Sequence, residues 1–173
     1  MSVFGEEETV YYIAVTIIKR RKTMKEFDRL CKEFEELDVL SYSAILAKKS
    51  LKVIPALSAA TDSGLNGVTV FATFVLGAIA ADGKLSEEEY LLCYPLLHAF
   101  FGDEINYEEC KIAARLLRPE SRELKKAVKD MLDVFGKLSE ELKDDIIIIC
   151  MLICSIDGKI SLKEKNWIKK LLK

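Results

Sequence analysis

The sequence predicts an all-α protein, and two observations carry that prediction. Apolar residues recur every three or four positions along nearly every segment, as they do on one face of a helix. Residues typical of helix starts and helix ends separate these segments, with serine or threonine before and glycine or proline after. No convincing strand pattern stands out in the 173 residues.

The first third of the chain predicts three helices. The run Val10–Ile18 has helical spacing, with acidic residues before it and a basic cluster after it, as the helix dipole favours. Its β-branched residues leave a strand open as an alternative. A second helix begins at Thr23, where Glu26 completes a capping box. A third covers residues 43–60, and Pro55 is expected to kink or restart it.

The rest of the chain is divided more clearly. After a loop at 61–67, residues 68–81 form an almost entirely apolar helix. Residues 86–101 form an amphipathic helix that Gly102 ends. Four further helices are predicted from caps, apolar stripes and helix-ending residues: 106–118, 124–135, 139–156 and 161–173.

Composition excludes several classes of function. The chain has 26 basic and 28 acidic residues, so it lacks the basic excess of a nucleic-acid-binding protein. Its five cysteines include no Cys-x-x-Cys pair, which favours reduced core thiols and a reducing compartment. Cys150 and Cys154 could share a helix face, but core packing is the better interpretation of so apolar a run. The one histidine, His98, has no paired cysteines at zinc-ligand spacing.

The apolar segments argue against a signal peptide and a membrane span. Acidic residues precede the first apolar run and basic residues follow it, which reverses the order found in signal peptides. The longest apolar stretch, 68–81, is shorter than the ~20 residues that a spanning helix needs. We therefore expect a cytoplasmic protein with no transmembrane segment.

One sequence signature occurs twice, separated by 75 positions. Its consensus is Asp-Gly-Lys-(Leu/Ile)-Ser-x-x-Glu, beginning at Asp82 and again at Asp157, and the flanking apolar positions agree as well. Each copy joins an apolar helix to an amphipathic one. Two matches in the same register indicate an internal duplication, with one repeat at about 65–102 and the other at about 139–173.

The first interpretation of the signature is structural. In each copy the glycine can adopt the left-handed conformation that ends a helix, and the serine can cap the next helix. The glutamate three residues after the serine can complete a capping box by accepting a hydrogen bond from the cap N–H. These turn and cap residues are Gly83, Ser86, Gly158 and Ser161.

The second interpretation is a divalent-cation site. The spacing matches the second half of an EF-hand loop, but alanine, isoleucine or serine occupies the positions of its first two carboxylates. Binding of Ca²⁺ or another divalent cation is therefore expected to be weak. The first copy is the better candidate, because the second has Leu162 and Lys163 where the first has two glutamates. The candidate ligands are Asp82, Glu87, Glu88, Glu89, Asp157 and Glu164.

The runs 80–90 and 155–164 resemble the hallmark of the tellurite-resistance TerB family, which includes a domain of a membrane-anchored DnaJ-like co-chaperone. The resemblance covers roughly Leu65 to Lys173, within a duplicated domain at 63–173. Residues 1–62 are unmatched N-terminal helices that we expect to pack on the core. The resemblance implies a multihelical bundle of two pseudo-twofold-related repeats around two central apolar helices.

The same resemblance implies a function. It points to a stress-response module that binds metal through acidic residues and assembles with protein partners at the inner membrane surface. The sequence therefore predicts a non-enzymatic protein-interaction module with weak cation binding. A purely structural or adaptor domain without metal is the alternative, with the N-terminal helices binding the partner. An enzyme is least favoured, since no phosphate loop or hydrolase motif occurs and His98 lies off the helical face of Cys93.

Overall fold

The part of the chain that the structure describes is built of helices. This computed structural model describes residues 24–60, 71, 74–75, 77–79, 81, 84–101, 106–116 and 122–172. Seven helices have defined bounds within it: α1 (Met24–Glu35), α2 (Val39–Ala60), α3 (Glu87–Phe101), α4 (Tyr107–Leu116), α5 (Arg122–Gly136), α6 (Glu140–Ser155) and α7 (Leu162–Leu171). The described residues at 71, 74–75 and 77–79 are also helical, and we call them segment 71–79.

No strand occurs in these described ranges, so the all-α prediction is confirmed for them. The helix predicted at Val10–Ile18, the cap at Thr23 and the loop at 61–67 lie outside the described residues. Over the described ranges, none of the helices is long and apolar enough to cross a membrane.

Helix α6 is the centre of the fold. All of its residues from Asp144 to Ser155 are buried, because Ile146–Ile153 leaves no polar face to turn toward water. Helices α1, α2, α3 and α7 pack around it. The Cys154 thiol of α6 lies 3.9 Å from the Ala78 carbonyl oxygen of segment 71–79, whose described residues are buried too. A helix that is apolar on every side must be enclosed, so α6 sets the positions of its neighbours.

Helices α1 and α2 belong to the same hydrophobic core as the later helices. The apolar stripe of α1 is buried, with Leu30, Cys31 and Phe34 each exposed by 1% or less. Helix α1 also contacts the second signature and α7, where Asp28 lies 4.0 Å from the Lys165 ammonium. Residues 24–60 therefore pack as an integral part of the bundle.

Helix α2 starts earlier and runs further than a sequence with an internal proline suggests. It begins at Val39 rather than residue 43, because Asp38 accepts hydrogen bonds from both the amide (3.1 Å) and the hydroxyl (2.7 Å) of Ser41. It then continues through Pro55 without a break. Pro55 is exposed, as is Leu51 one turn earlier, so water can reach the carbonyl that the proline leaves without an amide partner.

A buried ion pair joins α2 to α6. The Lys49 ammonium lies 2.6 Å from Asp145 Oδ1, and these side chains are 9% and 0% exposed. Lys52 lies 3.1 Å from Asp145 Oδ2, close enough for an ion pair although not aligned for a hydrogen bond, and it also pairs with exposed Glu141. The carboxylate of Asp145 is thus shared between two lysines on successive turns of α2.

The other end of α2 is fixed by a tyrosine. The Tyr42 hydroxyl lies 2.7 Å from the Phe34 carbonyl oxygen of α1, and 2.9 Å and 3.0 Å from the carbonyl and hydroxyl oxygens of Ser155. Tyr42 meets Ser155 while Lys49 meets Asp145, so α2 runs antiparallel to α6. The hydroxyl satisfies polar groups at two helix ends that lie inside the core.

One glycine permits a close helix contact. A Cβ atom on Gly77 would lie 2.5 Å from Cζ2 of Trp167, which is buried on α7. Segment 71–79 therefore approaches α7 more closely than any larger residue allows.

We predict that replacing Asp145 with asparagine strongly destabilises the protein. Asparagine keeps the shape of the side chain but removes the negative charge that lies 2.6 Å from the buried Lys49 ammonium, and breaking a buried ion pair costs about 3–5 kcal/mol. The free energy of unfolding, measured with urea, should fall accordingly. The double variant Lys49→Met with Asp145→Leu should recover most of the loss. A midpoint for Asp145→Asn equal to that of Glu140→Gln, which changes an exposed pair, would contradict the importance of the buried pair.

Candidate functional site

The two signatures fold into turns with the same hydrogen bonds. In the first, the Ser86 amide donates to Glu89 Oε2 at 2.6 Å, and the Glu89 amide donates to Ser86 Oγ at 3.0 Å. In the second, the corresponding bonds between Ser161 and Glu164 measure 2.6 Å and 3.3 Å. Both turns therefore begin the following helix with a complete capping box.

The match between the turns extends to the residues around the capping boxes. The preceding helix ends with a bond from the Ala81 amide to the Ala78 carbonyl, and the bond from Ile156 to Ile153 is its equivalent 75 residues on. The apolar anchor of each turn, Leu85 or Ile160, is buried. The register seen in the sequence thus holds in the local structure.

The signature carboxylates occupy different environments. Glu89 and Glu164 are only 6% and 4% exposed and face the caps, whereas Glu87 and Glu88 are exposed on the first turn of α3. Asp157 is exposed, and its Oδ1 accepts a hydrogen bond from the Lys159 amide at 3.1 Å.

The glycine of the second turn has the backbone conformation that the signature predicts. Gly158 has φ +80°, the left-handed conformation that the turn requires. Asp82 and Gly83 of the first copy lie outside the described residues.

Each turn is fixed by a residue from a helix that the signature does not contain. The Ile160 amide of the second turn donates to Glu35 Oε1 of α1 at 2.8 Å. The Tyr107 hydroxyl of α4 donates to the Leu85 carbonyl of the first turn at 3.1 Å. Sequence reasoning missed both contacts, because partners 125 and 22 positions apart leave no periodic pattern.

A cleft of about 380 Å³ lies between the two turns, and we call it the inter-turn cleft. Its walls are Lys84–Ser86 and Glu89 of the first turn, Lys111 and Arg115 of α4, and Asp157 of the second turn. The structure thus brings residues of both signature copies to one place. The described lining of the cleft includes three basic groups and two carboxylates.

The basic residues of α4 lie on one face of that helix. Tyr107, Lys111 and Arg115 follow one another at intervals of four, so they share a side. The Lys111 ammonium lies 5.3 Å from the centre of the Tyr107 ring. The centre of that ring lies 5.3 Å from the centre of the Tyr90 ring of α3. The four-residue spacing of Lys111 and Arg115 can be read from the sequence. It does not predict a binding site, because charged residues on solvent-exposed helix faces have the same spacing.

The described part of the chain offers no preformed metal cage. Within it, no group of three histidine, cysteine, aspartate or glutamate side chains comes together. Glu89 is engaged in its cap, and the inter-turn cleft places Lys84, Lys111 and Arg115 near Glu89 and Asp157. Three positive charges at this position oppose a divalent cation.

All five cysteines are buried and free, and burial raises the pKa of four of them, Cys31, Cys93, Cys110 and Cys150. Burial raises the pKa of Cys31 and of Cys150 to about 12, and raises that of Cys93 even further. Near neutral pH these thiols are therefore protonated, which makes them poor nucleophiles and poor metal ligands.

Comparison of the chain with protein-family models, curated proteins and solved structures finds no match. The resemblance to the TerB family accordingly stays a prediction from the two signatures.

We predict that the buried thiols make the protein less stable at alkaline pH. Their folded pKa values lie above the ordinary 9.0, so their contribution to stability is complete below pH 9 and is lost as the pH rises toward 12. The free energy of unfolding should fall by about 1.4 kcal/mol per pH unit for each such thiol. Urea unfolding between pH 8 and 11 measures this slope, which Cys150→Ala should reduce. Rapid labelling of Cys31 or Cys150 in the native protein at pH 8 would refute the prediction.

Proposed function

We propose that this chain is a non-enzymatic, TerB-like protein-interaction module in which the duplicated signatures build two turns. The observation that carries the proposal is that the glutamate of each signature is buried and bonded to a cap amide. A carboxylate used in this way supports the fold and is not displayed to a substrate. A pseudo-twofold arrangement of two repeats belongs to the proposal, supported by the shared 75-residue register of the turn hydrogen bonds.

The environment of the reactive side chains supports a non-enzymatic role. The thiols of Cys31, Cys93 and Cys150 are buried, with pKa values raised well above neutrality. His98 lies exposed on α3, where its ring packs 5.7 Å from that of Tyr94. Buried, protonated thiols of this kind are poor nucleophiles.

The surface of α3 and α4 supports protein interaction. Leu91, Tyr94 and Ile112 are 63%, 40% and 53% exposed, and all three lie on these two helices. The two helices contact each other, and aromatic and aliphatic side chains exposed on neighbouring helices fit a contact surface for another protein. From the resemblance, we propose that the partner belongs to a cytoplasmic stress-response assembly peripheral to the inner membrane.

Weak divalent-cation binding at the first turn is the second candidate function. The exposure of Glu87 and Glu88 favours it, because both carboxylates are accessible beside the position of Asp82 in the sequence. The basic groups of the inter-turn cleft weigh against it.

The stability of cap variants, and the response of the protein to added cations, test whether the signature has a structural role or a cation-binding role. Glutamine also forms a capping box, so Glu89→Gln and Glu164→Gln should keep the melting temperature of the parent protein. Ser161→Ala removes the cap acceptor and should lower the free energy of unfolding by about 1 kcal/mol. Millimolar Ca²⁺, Mg²⁺ or Mn²⁺ should leave the melting temperature unchanged.

A cation that binds only the folded state would instead stabilise it by about 2.7 kcal/mol at a hundred times its Kd. If that stabilisation appears and Asp82→Asn removes it, the cation function replaces the purely structural role of the first turn.

Partner capture tests the interaction role directly. We expect a protein that co-purifies with the full chain to be lost in the double variant Leu91→Ser with Ile112→Ser. It should be retained in Leu162→Ser, a control residue that is 71% exposed on α7. Equal retention by both variants would show that α3 and α4 do not form the contact surface.

A further inference from the structure

We infer that the inter-turn cleft is a binding site for a phosphate-class oxyanion, held by Lys84, Lys111 and Arg115. The inference goes beyond the interaction role proposed above and rests on it only in that the chain binds its ligand without transforming it. The ligand chemistry is a phosphate or phosphate ester, either free in solution or carried on a side chain of a partner protein.

The backbone that carries the three cations is fixed before any ligand arrives. Lys84 directly precedes Leu85, whose carbonyl accepts the hydrogen bond from Tyr107 of α4. Lys111 and Arg115 lie one and two turns beyond Tyr107 on the same face of that helix. The hydrogen bond that joins α4 to the first turn therefore also fixes the backbone separation of Lys84 from Lys111 and Arg115, so binding has to order only their side chains.

Basic groups outnumber acidic ones among the described residues of the cleft. Of the lining residues that the structure describes, Lys84, Lys111 and Arg115 carry one positive charge more than Glu89 and Asp157 balance. Glu89 is buried and accepts from the Ser86 amide, and Asp157 accepts from the Lys159 amide.

The basic groups themselves remain accessible. Lys111 lies 3.5 Å from Glu108, whose side chain is 70% exposed, and such surface pairs are weak. Arg115 is exposed and forms no ion pair with any residue that the structure describes.

The cleft suits a phosphate group in size and in donors. Its volume of about 380 Å³ falls at the lower end of the range for small-molecule sites, roughly 300–1,000 Å³. A guanidinium group binds phosphate oxygens in pairs, and lysines add point charges. Ser86 Oγ accepts the bond from the Glu89 amide, so its own proton can be donated to an anion.

Binding can be measured by calorimetry and by thermal unfolding of the full chain. Inorganic phosphate should raise the melting temperature above that in sodium chloride of equal ionic strength. A phosphoserine peptide that binds more tightly than phosphate identifies a partner protein as the source, whereas a peptide that binds no more tightly than phosphate identifies a free anion. An equal response to phosphate and chloride, together with no binding of the phosphopeptide, would overturn the inference.

Matched variants locate the site. Arg115→Gln removes a charge-assisted hydrogen bond and should weaken phosphate binding about tenfold. Arg122→Gln, at an exposed arginine of α5 that does not line the cleft, should leave phosphate binding unchanged. Unchanged phosphate affinity in Arg115→Gln would overturn the site.

Replacing Asp157 distinguishes an anion site from a cation site, because the two predict opposite changes in ligand affinity. Asparagine at position 157 can still accept from the Lys159 amide. Asp157→Asn should therefore strengthen phosphate binding, while it would weaken a cation held at the same place. Loss of phosphate binding in Asp157→Asn would count against the anion site. Partner capture depends on Leu91 and Ile112, so failure of the interaction role would be recognised separately.

Discussion

The rest of the structure depends on the complete burial of α6 from Asp144 to Ser155. An apolar helix with no solvent-facing side stabilises the protein only if other helices cover every part of its surface. Its few polar residues then need partners inside the core, and α2 provides them through Lys49 and Tyr42. The antiparallel course of α2 follows from these two contacts, which lie near opposite ends of α6. Helix α1 is placed in turn by Tyr42, which bonds its last turn.

The duplicated signature shows how one local structure can exist in two different surroundings. A serine and a glutamate at fixed spacing suffice to begin a helix, so both copies keep the same short hydrogen bonds. The groups that contact each turn are unrelated, a tyrosine hydroxyl in one case and a carboxylate of α1 in the other. The capping glutamates are buried, and among the described residues of the cleft between the turns the basic side chains outnumber the acidic ones. A motif rich in acidic residues thus also contributes a lysine, Lys84, to a cleft lined by other basic groups.

Local features of this fold were readable from sequence, and long-range ones were not. The spacing of apolar residues predicts the helices, and the Ser161–Glu164 pair predicts a capping box that the structure contains. The early start of α2 was missed because Asp38 was not recognised as a cap. The position of Arg115 in the cleft was missed for another reason. The sequence pattern of a charged residue on a helix face is the same whether its side chain faces solvent or lines a cleft formed with another helix or turn. The Glu35–Ile160 bond joins residues too distant for any local pattern.

The position of α6 along the chain has a consequence for synthesis. Helices α1 and α2 leave the ribosome long before the helix that covers their apolar faces, since α6 begins only at Glu140. Until then Phe34 and the other core residues of α1 lack the helix that completes their burial, and contacts of such high sequence separation form slowly. The nascent chain must therefore pass through a stage with exposed apolar helices, the kind of intermediate that aggregates or is held by chaperones. Among the helices that the structure describes, the core can therefore be completed only after α6 has been synthesised.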